Sequence, residues 1–154
     1  MNTTNNVEYS IIEQICKAWN NLDVKYLGDY LTNDFIYSSQ IVMTNINGSE
    51  NYIAYLKGKF KAIREGKDKV TAEIGYWNSI PCLILIQLLE NEERAVYQHR
   101  NKISSGTIKT APVYTNERGA VIIFEFYGNK VNSACMCVTF PNINQVKRTG
   151  VFPI

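Results

Sequence analysis

The sequence predicts an α+β fold in which helices occupy most of the first half of the chain and strands the second. Apolar residues recur at helical spacing near the N-terminus, Asn47-Gly48-Ser49 opens a further helix, and the remainder is rich in strand-forming residues. A chain of 154 residues can bury a core without disulfides or metals. We therefore expect one α+β domain over residues 1–154.

Three helices are predicted before residue 67. The first has an apolar stripe made of Ile11, Ile15, Ala18 and Leu22, widened by Ile12, Cys16 and Trp19. The second follows Asp23, a residue type that favours the N-cap, and its inward residues are Leu27, Tyr30 and Leu31. The third starts with Ser49 as its cap and ends at Glu65-Gly66, and it buries Ile53, Leu56, Phe60 and Ile63.

Strands are predicted between and after these helices. Aromatic and β-branched residues mark the first strand at Phe35–Thr44. Further strands are expected at Val70–Trp77, Cys82–Leu89, Val96–Lys102, Ala120–Tyr127 and Val131–Phe140. The Gly128-Asn129-Lys130 segment indicates a hairpin turn between the last two, and residues 103–119 form a long connection.

This order of elements resembles the NTF2-like proteins, also called SnoaL-like or cystatin-like. The residues that carry the resemblance are Ile11–Asp23, Tyr26-Leu27, Tyr30-Leu31, Asn33–Tyr37, Gly48 and Tyr52–Leu56. It covers residues 8–66 and, more loosely, the final hairpin. It implies a cone in which three N-terminal helices pack on a strongly bent, mostly antiparallel sheet and leave a pocket. Because this fold hosts isomerases, dehydratases, cyclases and non-catalytic modules, the fold does not choose the function.

Composition narrows the classes of partner. A balance of 16 basic against 14 acidic residues does not indicate nucleic-acid binding. Residues 1–10 lack the pattern of a signal peptide, and no apolar run approaches the roughly 20 residues that span a bilayer. We expect a cytoplasmic protein with no membrane partner, no cofactor and no metal. The apolar surroundings of Cys16, Cys82, Cys135 and Cys137 predict reduced, buried thiols.

Two residues are candidates for acid–base catalysis. Glu125 stands in an apolar strand, where burial in a pocket would raise its pKa; the alternative is an outward or ion-paired carboxylate. His99 lies among polar residues, so the alternative is a surface histidine. Glu73 is expected to face solvent, because its same-face neighbours Thr71 and Gly75 are not core residues.

The resemblance also allows the sequence to be compared with the catalytic patterns of NTF2-like enzymes. A ketosteroid-isomerase site would need a tyrosine near Ile15 and an aspartate base at Ser39, and neither residue can act in those roles. A dehydratase pattern with two histidines is not met, because His99 is the one histidine in the chain. A SnoaL-like site with an acid and a histidine remains open, with His99 beside Glu125 or Glu73.

Aromatic residues point to a ligand pocket. Ten tyrosines and two tryptophans offer apolar rings with polar tips, which suit a pocket as well as a core. We expect the pocket between the first and third helices and the sheet, lined by Trp19, Tyr37, Tyr55, Trp77, Phe124 and Tyr127. The predicted function is binding of a small apolar or amphipathic molecule. The alternatives are a SnoaL-like isomerase, dehydratase or cyclase using Glu125 or His99, and a non-catalytic protein-interaction or assembly module.

Three other patterns have two interpretations each. Cys135 and Cys137 share a strand face and could hold zinc with His99 or Cys82, but buried thiol packing is favoured. The basic stripe of Lys57, Lys61 and Arg64, joined nearby by Lys59, Lys67 and Lys69, could attract phosphate, but a solvated helix face is favoured. Strands that are apolar on both faces predict an exposed outer sheet face and a homodimer through it, unless residues 90–120 cover that face.

Overall fold

The computed structural model describes residues 3–40, 44–66, 69–88, 117–137 and 146–154. Within these ranges the helices are α1 (Thr3–Asn21) and α2 (Ser49–Glu65), with a one-turn 3-10 helix at Val24–Leu27. The strands are β1 (Leu31–Ser39), β2 (Ile46–Asn47), β3 (Lys69–Trp77), β4 (Ile80–Leu88), β5 (Glu117–Tyr127), β6 (Lys130–Cys137) and β7 (Val146–Arg148). The predicted α+β class is confirmed.

The described strands form one bent, open sheet in the order β2-β1-β6-β5-β4-β3-β7. β1 and β6 run parallel, with Tyr37 opposite Ala134, and the other neighbouring strands are antiparallel. The predicted hairpin turn between β5 and β6 is confirmed. Gly128 adopts a φ of 61° there, which glycine reaches without a steric penalty.

Both helices lie on one face of the sheet, here called the inner face. α1 lies against β3 and β4, and α2 lies against β1. The apolar stripe predicted for α1 is confirmed by the burial of Ile11, Ile15, Ala18 and Trp19. Asn20 at the end of α1 binds the backbone of Ala72 in both directions, donating to its O at 2.9 Å and accepting from its N at 2.7 Å. The helix is therefore tied to the sheet by hydrogen bonds as well as by packing.

The predicted second helix is wrong, and so is the count of three helices. Asp23 does act as an N-cap, since its side chain accepts the Lys25 N–H at 2.9 Å. However, Gly28 follows with φ 49° and ψ −137°, a conformation that suits glycine and ends the turn. The chain then enters β1 at Leu31, four residues before the strand start expected at Phe35.

Other boundaries differ in smaller ways. Ser49 is the first residue of α2 rather than its cap, because Gly48 occupies the N-cap position without a side-chain hydrogen bond. The short strands β2 and β7 were not predicted. The strand expected at Val96–Lys102 lies outside the described residues, as does the connection expected at 103–119 as far as residue 116. Residues 117–119 belong to β5, which therefore starts three residues before the predicted Ala120.

The opposite face of the sheet, the outer face, holds a second apolar cluster made of Cys82, Ile84, Ile86 and Val121. In the single chain Ile84, Ile86 and Val121 are only 8, 5 and 8% exposed. The sequence led us to expect an exposed apolar patch here, and for these residues that expectation is wrong. Exposed outer positions do occur nearby, at Ile36 and Ile80.

The expectation that Glu73 faces solvent is wrong, because this residue is 1% exposed. It lies opposite Ile84 in the β3–β4 pair and therefore on the outer face. Its carboxylate is held by Arg148 of β7 and by the backbone N–H of Gly150. The buried charge is tolerated because the carboxylate oxygens accept hydrogen bonds from these donors.

Neither α1 nor α2 combines the length and the apolar composition that a bilayer-crossing helix requires.

Candidate functional site

Four aromatic rings meet where β1 faces α2. Alternation along β1 turns Phe35 and Tyr37 toward the helix, and the helical repeat of α2 turns Tyr52 and Tyr55 toward the strand. Ring centroids lie 4.8 Å apart for Phe35–Tyr52, 5.0 Å for Tyr37–Tyr52 and 5.7 Å for Tyr37–Tyr55. These separations are typical of favourable aromatic pairs, so the rings form one packed cluster.

A second group of rings extends this cluster toward α1. Trp19 packs edge-on against Phe60 of α2, with centroids 5.0 Å apart. Lys59 of α2 places its Nζ 5.8 Å from the ring centroid of Trp19 and 5.8 Å from that of Tyr55. The ammonium therefore connects the two groups of rings, which we call together the aromatic cluster (Trp19, Phe35, Tyr37, Tyr52, Tyr55, Lys59 and Phe60).

One polar group of the aromatic cluster has no acceptor. The indole Nε1 of Trp19 is buried and has no hydrogen-bond partner among the described residues. The hydroxyl of Tyr37, by contrast, lies 3.6 Å from the sulfur of Met136 and also has side-chain hydrogen bonds with Ser39 and Tyr55. An unpaired buried N–H costs about 1–3 kcal/mol, so Trp19 favours any molecule that brings an oxygen acceptor.

The hydroxyls of Tyr37 and Tyr52 stay protonated. Burial raises the pKa of Tyr37 well above its ordinary value, with a further contribution from the neighbouring Tyr55. Burial likewise raises the pKa of Tyr52, with smaller contributions from Tyr37 and Tyr55. Both phenols are therefore neutral hydrogen-bond donors at any physiological pH, and neither acts as a base.

The structure brings together four of the six residues predicted to line a pocket. Trp19, Tyr37 and Phe124 belong to the inner-face core, and Tyr55 packs against it. Tyr37 and Phe124 lie on either side of Ala134, whose small side chain separates the two rings.

The other two predicted lining residues lie elsewhere. Trp77 packs against the outer-face cluster around Cys82 and Ile84, and its indole Nε1 is also buried without a partner among the described residues. Tyr127 is 75% exposed at the hairpin turn. A register shift between Glu125 and Phe126 separates this end of β5 from the regular ladder.

Of the two candidate catalytic residues, Glu125 does not meet the aromatic cluster. Glu125 is exposed and lies opposite Ser133, on the outer face. His99 lies outside the described residues. Ile15, where a ketosteroid isomerase would need its tyrosine, is buried in the core.

The cysteines separate into two pairs. Cys16 and Cys82 are buried as predicted, and burial raises the pKa of Cys82 to about 12. Cys135 and Cys137 were also predicted to be buried, and that is wrong: they are half-buried on one face of β6 with their sulfur atoms 3.9 Å apart. Within the described ranges, no three residues of the His, Cys, Asp and Glu types come close enough to hold a metal ion.

The basic residues of α2 also separate. Lys57, Lys61 and Arg64 are exposed; Lys61 lies 3.9 Å from Glu65, and Arg64 donates to the carbonyl of Leu22 at 2.6 Å. This agrees with a solvated face. Four residues of the aromatic cluster were not predicted to line the site: Phe35, Tyr52, Lys59 and Phe60. Two of them, Lys59 and Tyr52, had a signal in the sequence. Their positions four residues from Tyr55 and from Leu56, on the buried stripe of the helix, were the signal for both.

Comparisons with known proteins identify the fold. No protein-family model matches the chain, and the search of curated proteins found no similar sequence. An NTF2-like protein of unknown function from Mesorhizobium loti shares 6% identity over 91% of this chain and 97% of its own, with a TM-score of 0.62. A SnoaL-like protein of unknown function from Burkholderia thailandensis shares 13% identity over 90% and 100%, with a TM-score of 0.56.

An LEH-like epoxide hydrolase from M. tuberculosis also has a similar structure, with 12% identity over 88% of this chain and 81% of its own and a TM-score of 0.54. At such identities the likeness concerns the fold alone. The chain has the NTF2-like fold that its order of elements predicts.

Proposed function

We propose that this protein binds a small apolar or amphipathic molecule against the aromatic cluster, between α1, α2 and the inner face of the sheet. The observation that carries the proposal is the buried indole N–H of Trp19, which has no hydrogen-bond partner among the described residues. Apolar rings supply the contact area for a ligand, and a few convergent donors fix its orientation. Trp19, Tyr37, Tyr55 and Phe124 are the proposed contacts.

Binding is better supported than acid–base catalysis. Among the described residues Glu73 is the one buried carboxylate, and it lies on the outer face with its oxygens bonded to Arg148 and Gly150. The second candidate for an acid or base, Glu125, is exposed on that same face. A proton-transferring group must lie within hydrogen-bond reach of the reacting atom, and the described part of the aromatic cluster holds phenols, an indole and an ammonium.

The test uses a neutral fluorescent probe. N-phenyl-1-naphthylamine should brighten on binding the wild-type protein at a one-to-one ratio, and 2-undecanone should displace it. Undecane, which has no acceptor, should displace it less well. Trp19→Phe keeps an aromatic ring but removes the N–H, so it should weaken 2-undecanone about tenfold while leaving undecane nearly unchanged.

Tyr127→Phe is the matched control, because that hydroxyl belongs to a tyrosine that is 75% exposed. It should leave both competitors unaffected. Circular dichroism confirms that each variant is folded before its binding is measured. A wild-type protein that neither brightens the probe nor carries a bound molecule in native mass spectrometry would contradict the proposal, and would favour the protein-interaction alternative.

A further inference from the structure

Lys59 is placed unusually for a lysine. It lies on the inward stripe of α2, one position before the buried Phe60 and three after the buried Leu56. Its neighbours Lys57 and Lys61 are exposed, whereas Lys59 is half-buried. A lysine usually keeps its ammonium in water while its stem covers apolar surface. Here the helical position brings the charged end to the edge of the aromatic cluster.

The charge of Lys59 has no opposite charge beside it in the described structure. Its contacts there are the ring faces of Trp19 and Tyr55, each with its centroid 5.8 Å from Nζ. Other lysines of the described chain do find carboxylates, as Lys25 does with Asp23 at 3.2 Å. A partly desolvated ammonium between two aromatic faces attracts an anion more strongly than a fully hydrated one does.

Lys59 and Trp19 are alike in one respect. The Lys59 ammonium and the indole N–H of Trp19 are donors without acceptor capacity, and the indole N–H has no partner among the described residues. A site that presents donors selects a group that only accepts. A carboxylate meets this requirement, because its two oxygens accept several hydrogen bonds and its charge is opposite to that of Lys59.

We propose that Lys59 anchors the carboxylate of an amphipathic acid whose apolar body lies against Trp19 and Tyr55. This inference rests on the proposed function, since it names the class of molecule that the aromatic cluster takes. Lys59 acts as a point charge at the polar end of the ligand, and the Trp19 N–H donates to the same carboxylate or to an oxygen near it. The rings of the cluster contact the apolar body.

The experiment compares dodecanoate with 1-dodecanol, which have the same chain length and differ in charge. Displacement of N-phenyl-1-naphthylamine is measured for both below their aggregation concentrations. Wild-type protein should bind dodecanoate at least tenfold more tightly than 1-dodecanol in 20 mM salt, and the preference should shrink at 500 mM salt. The preference should shrink because added salt screens the attraction between the Lys59 ammonium and the carboxylate.

Variants of two lysines on α2 test the assignment. Lys59→Gln should abolish the preference for dodecanoate while 1-dodecanol still binds, and Lys59→Arg should retain most of it. Lys57→Gln, on the exposed face of the same helix, is the control and should behave as wild type.

The outcomes separate the two proposals. If wild type binds both molecules equally, or if Lys59→Gln keeps the preference, the anchor role of Lys59 is wrong and the binding function stands. If neither molecule displaces the probe and the probe itself does not bind, both proposals are wrong.

Discussion

Arg148 closes over the buried carboxylate of Glu73 from the far end of the chain. Its Nη2 lies 2.6 Å from Oε2, and its Nε donates to Oε2 at 2.8 Å and to Oε1 at 3.2 Å. The backbone N–H of Gly150 donates to Oε1 at 2.9 Å. Glu73 therefore attaches the C-terminal segment to β3, and the backbone pairing of β7 with β3 adds to this attachment.

Removing the arginine side chain should destabilise the protein. Glu73 is 1% exposed, and Arg148→Ala leaves its carboxylate with the Gly150 N–H as the remaining donor in the described structure. An uncompensated buried charge is expensive. We expect a loss of about 3 kcal/mol in the free energy of unfolding, measured by urea denaturation. Lys147→Ala, an exposed neighbour on β7, should change it by less than about 0.5 kcal/mol.

A double variant identifies the cause. Arg148→Ala combined with Glu73→Gln removes the charge that was left unpaired, so it should be more stable than Arg148→Ala alone. Equal stabilities of the two would show that the burial of a charge is not the source of the loss.

Glycine is required at position 75 for reasons of space. A Cβ built there would lie 2.6 Å from Cδ1 and 2.9 Å from Cγ1 of Ile84, which is itself buried. Gly75→Ala should therefore destabilise the protein by about 2 kcal/mol. Gly58→Ala is the matched control: its Cβ would meet nothing within 4 Å, and alanine should stabilise α2 by about 1 kcal/mol.

Shortening the opposing side chain should relieve the clash at Gly75. Ile84→Val removes the Cδ1 atom, so Gly75→Ala should be tolerated better in that background than in wild type. The coupling is obtained from thermal or urea unfolding of the four proteins in the cycle. Strictly additive losses would contradict the steric explanation.

Alkaline pH should weaken the fold. Burial raises the pKa of Cys82 from an ordinary 9.0 to about 12, so the unfolded chain loses this proton first. The stabilisation is complete below pH 9 and is lost as pH rises toward 12, by about 1 kcal/mol at pH 10 for this thiol. Cys16, whose pKa burial also raises, adds to the loss.

Urea unfolding at pH 7.5, 9 and 10 measures this effect. Cys82→Ala should show a shallower decline over that range than wild type does, whatever its stability at pH 7.5. Identical slopes for the two proteins would mean that Cys82 does not carry the pH dependence.

A homodimer through the outer sheet face stays a prediction. Light scattering after size exclusion should give twice the 17.6 kDa of one chain at micromolar concentration. Since Ile84, Ile86 and Val121 are already buried in the single chain, the exposed Ile36 and Ile80 are the outer-face residues to replace. Ile36→Lys and Ile80→Lys should give a single-chain mass if that face forms the contact, and an unchanged mass would exclude it.

The parts of the fold that were predicted correctly are those with a local signal. The stripe on α1 and the Gly128 turn can each be interpreted within a short stretch of sequence. The short strands β2 and β7 could not be predicted, because two or three residues show no alternation. A second α-helix was predicted where the chain forms one 3-10 turn, because Tyr30 and Leu31 also fit a helical spacing, whereas Gly28 ends the turn.

The errors at the candidate sites have non-local causes. Glu73 was expected to face solvent because Gly75, its neighbour on the same strand face, is not a core residue. However, Ile84 fills the space above that glycine. Its partner Arg148 is far along the chain, so no spacing rule connects the two. Lys59 was grouped with the exposed lysines of α2 by charge, although its position on the helix belonged to the buried stripe.

The position of β6 determines when the sheet can be completed during synthesis. β6 lies between β1 and β5, and it joins Leu31 to Val131, 100 positions later. Until residues 130–137 have left the ribosome, β1 and β2 share no strand with β3, β4 and β5. Closing so long a loop is slow compared with helix formation. Until β6 has been made, β1 and its residue Tyr37 therefore lack their neighbouring strand on that side.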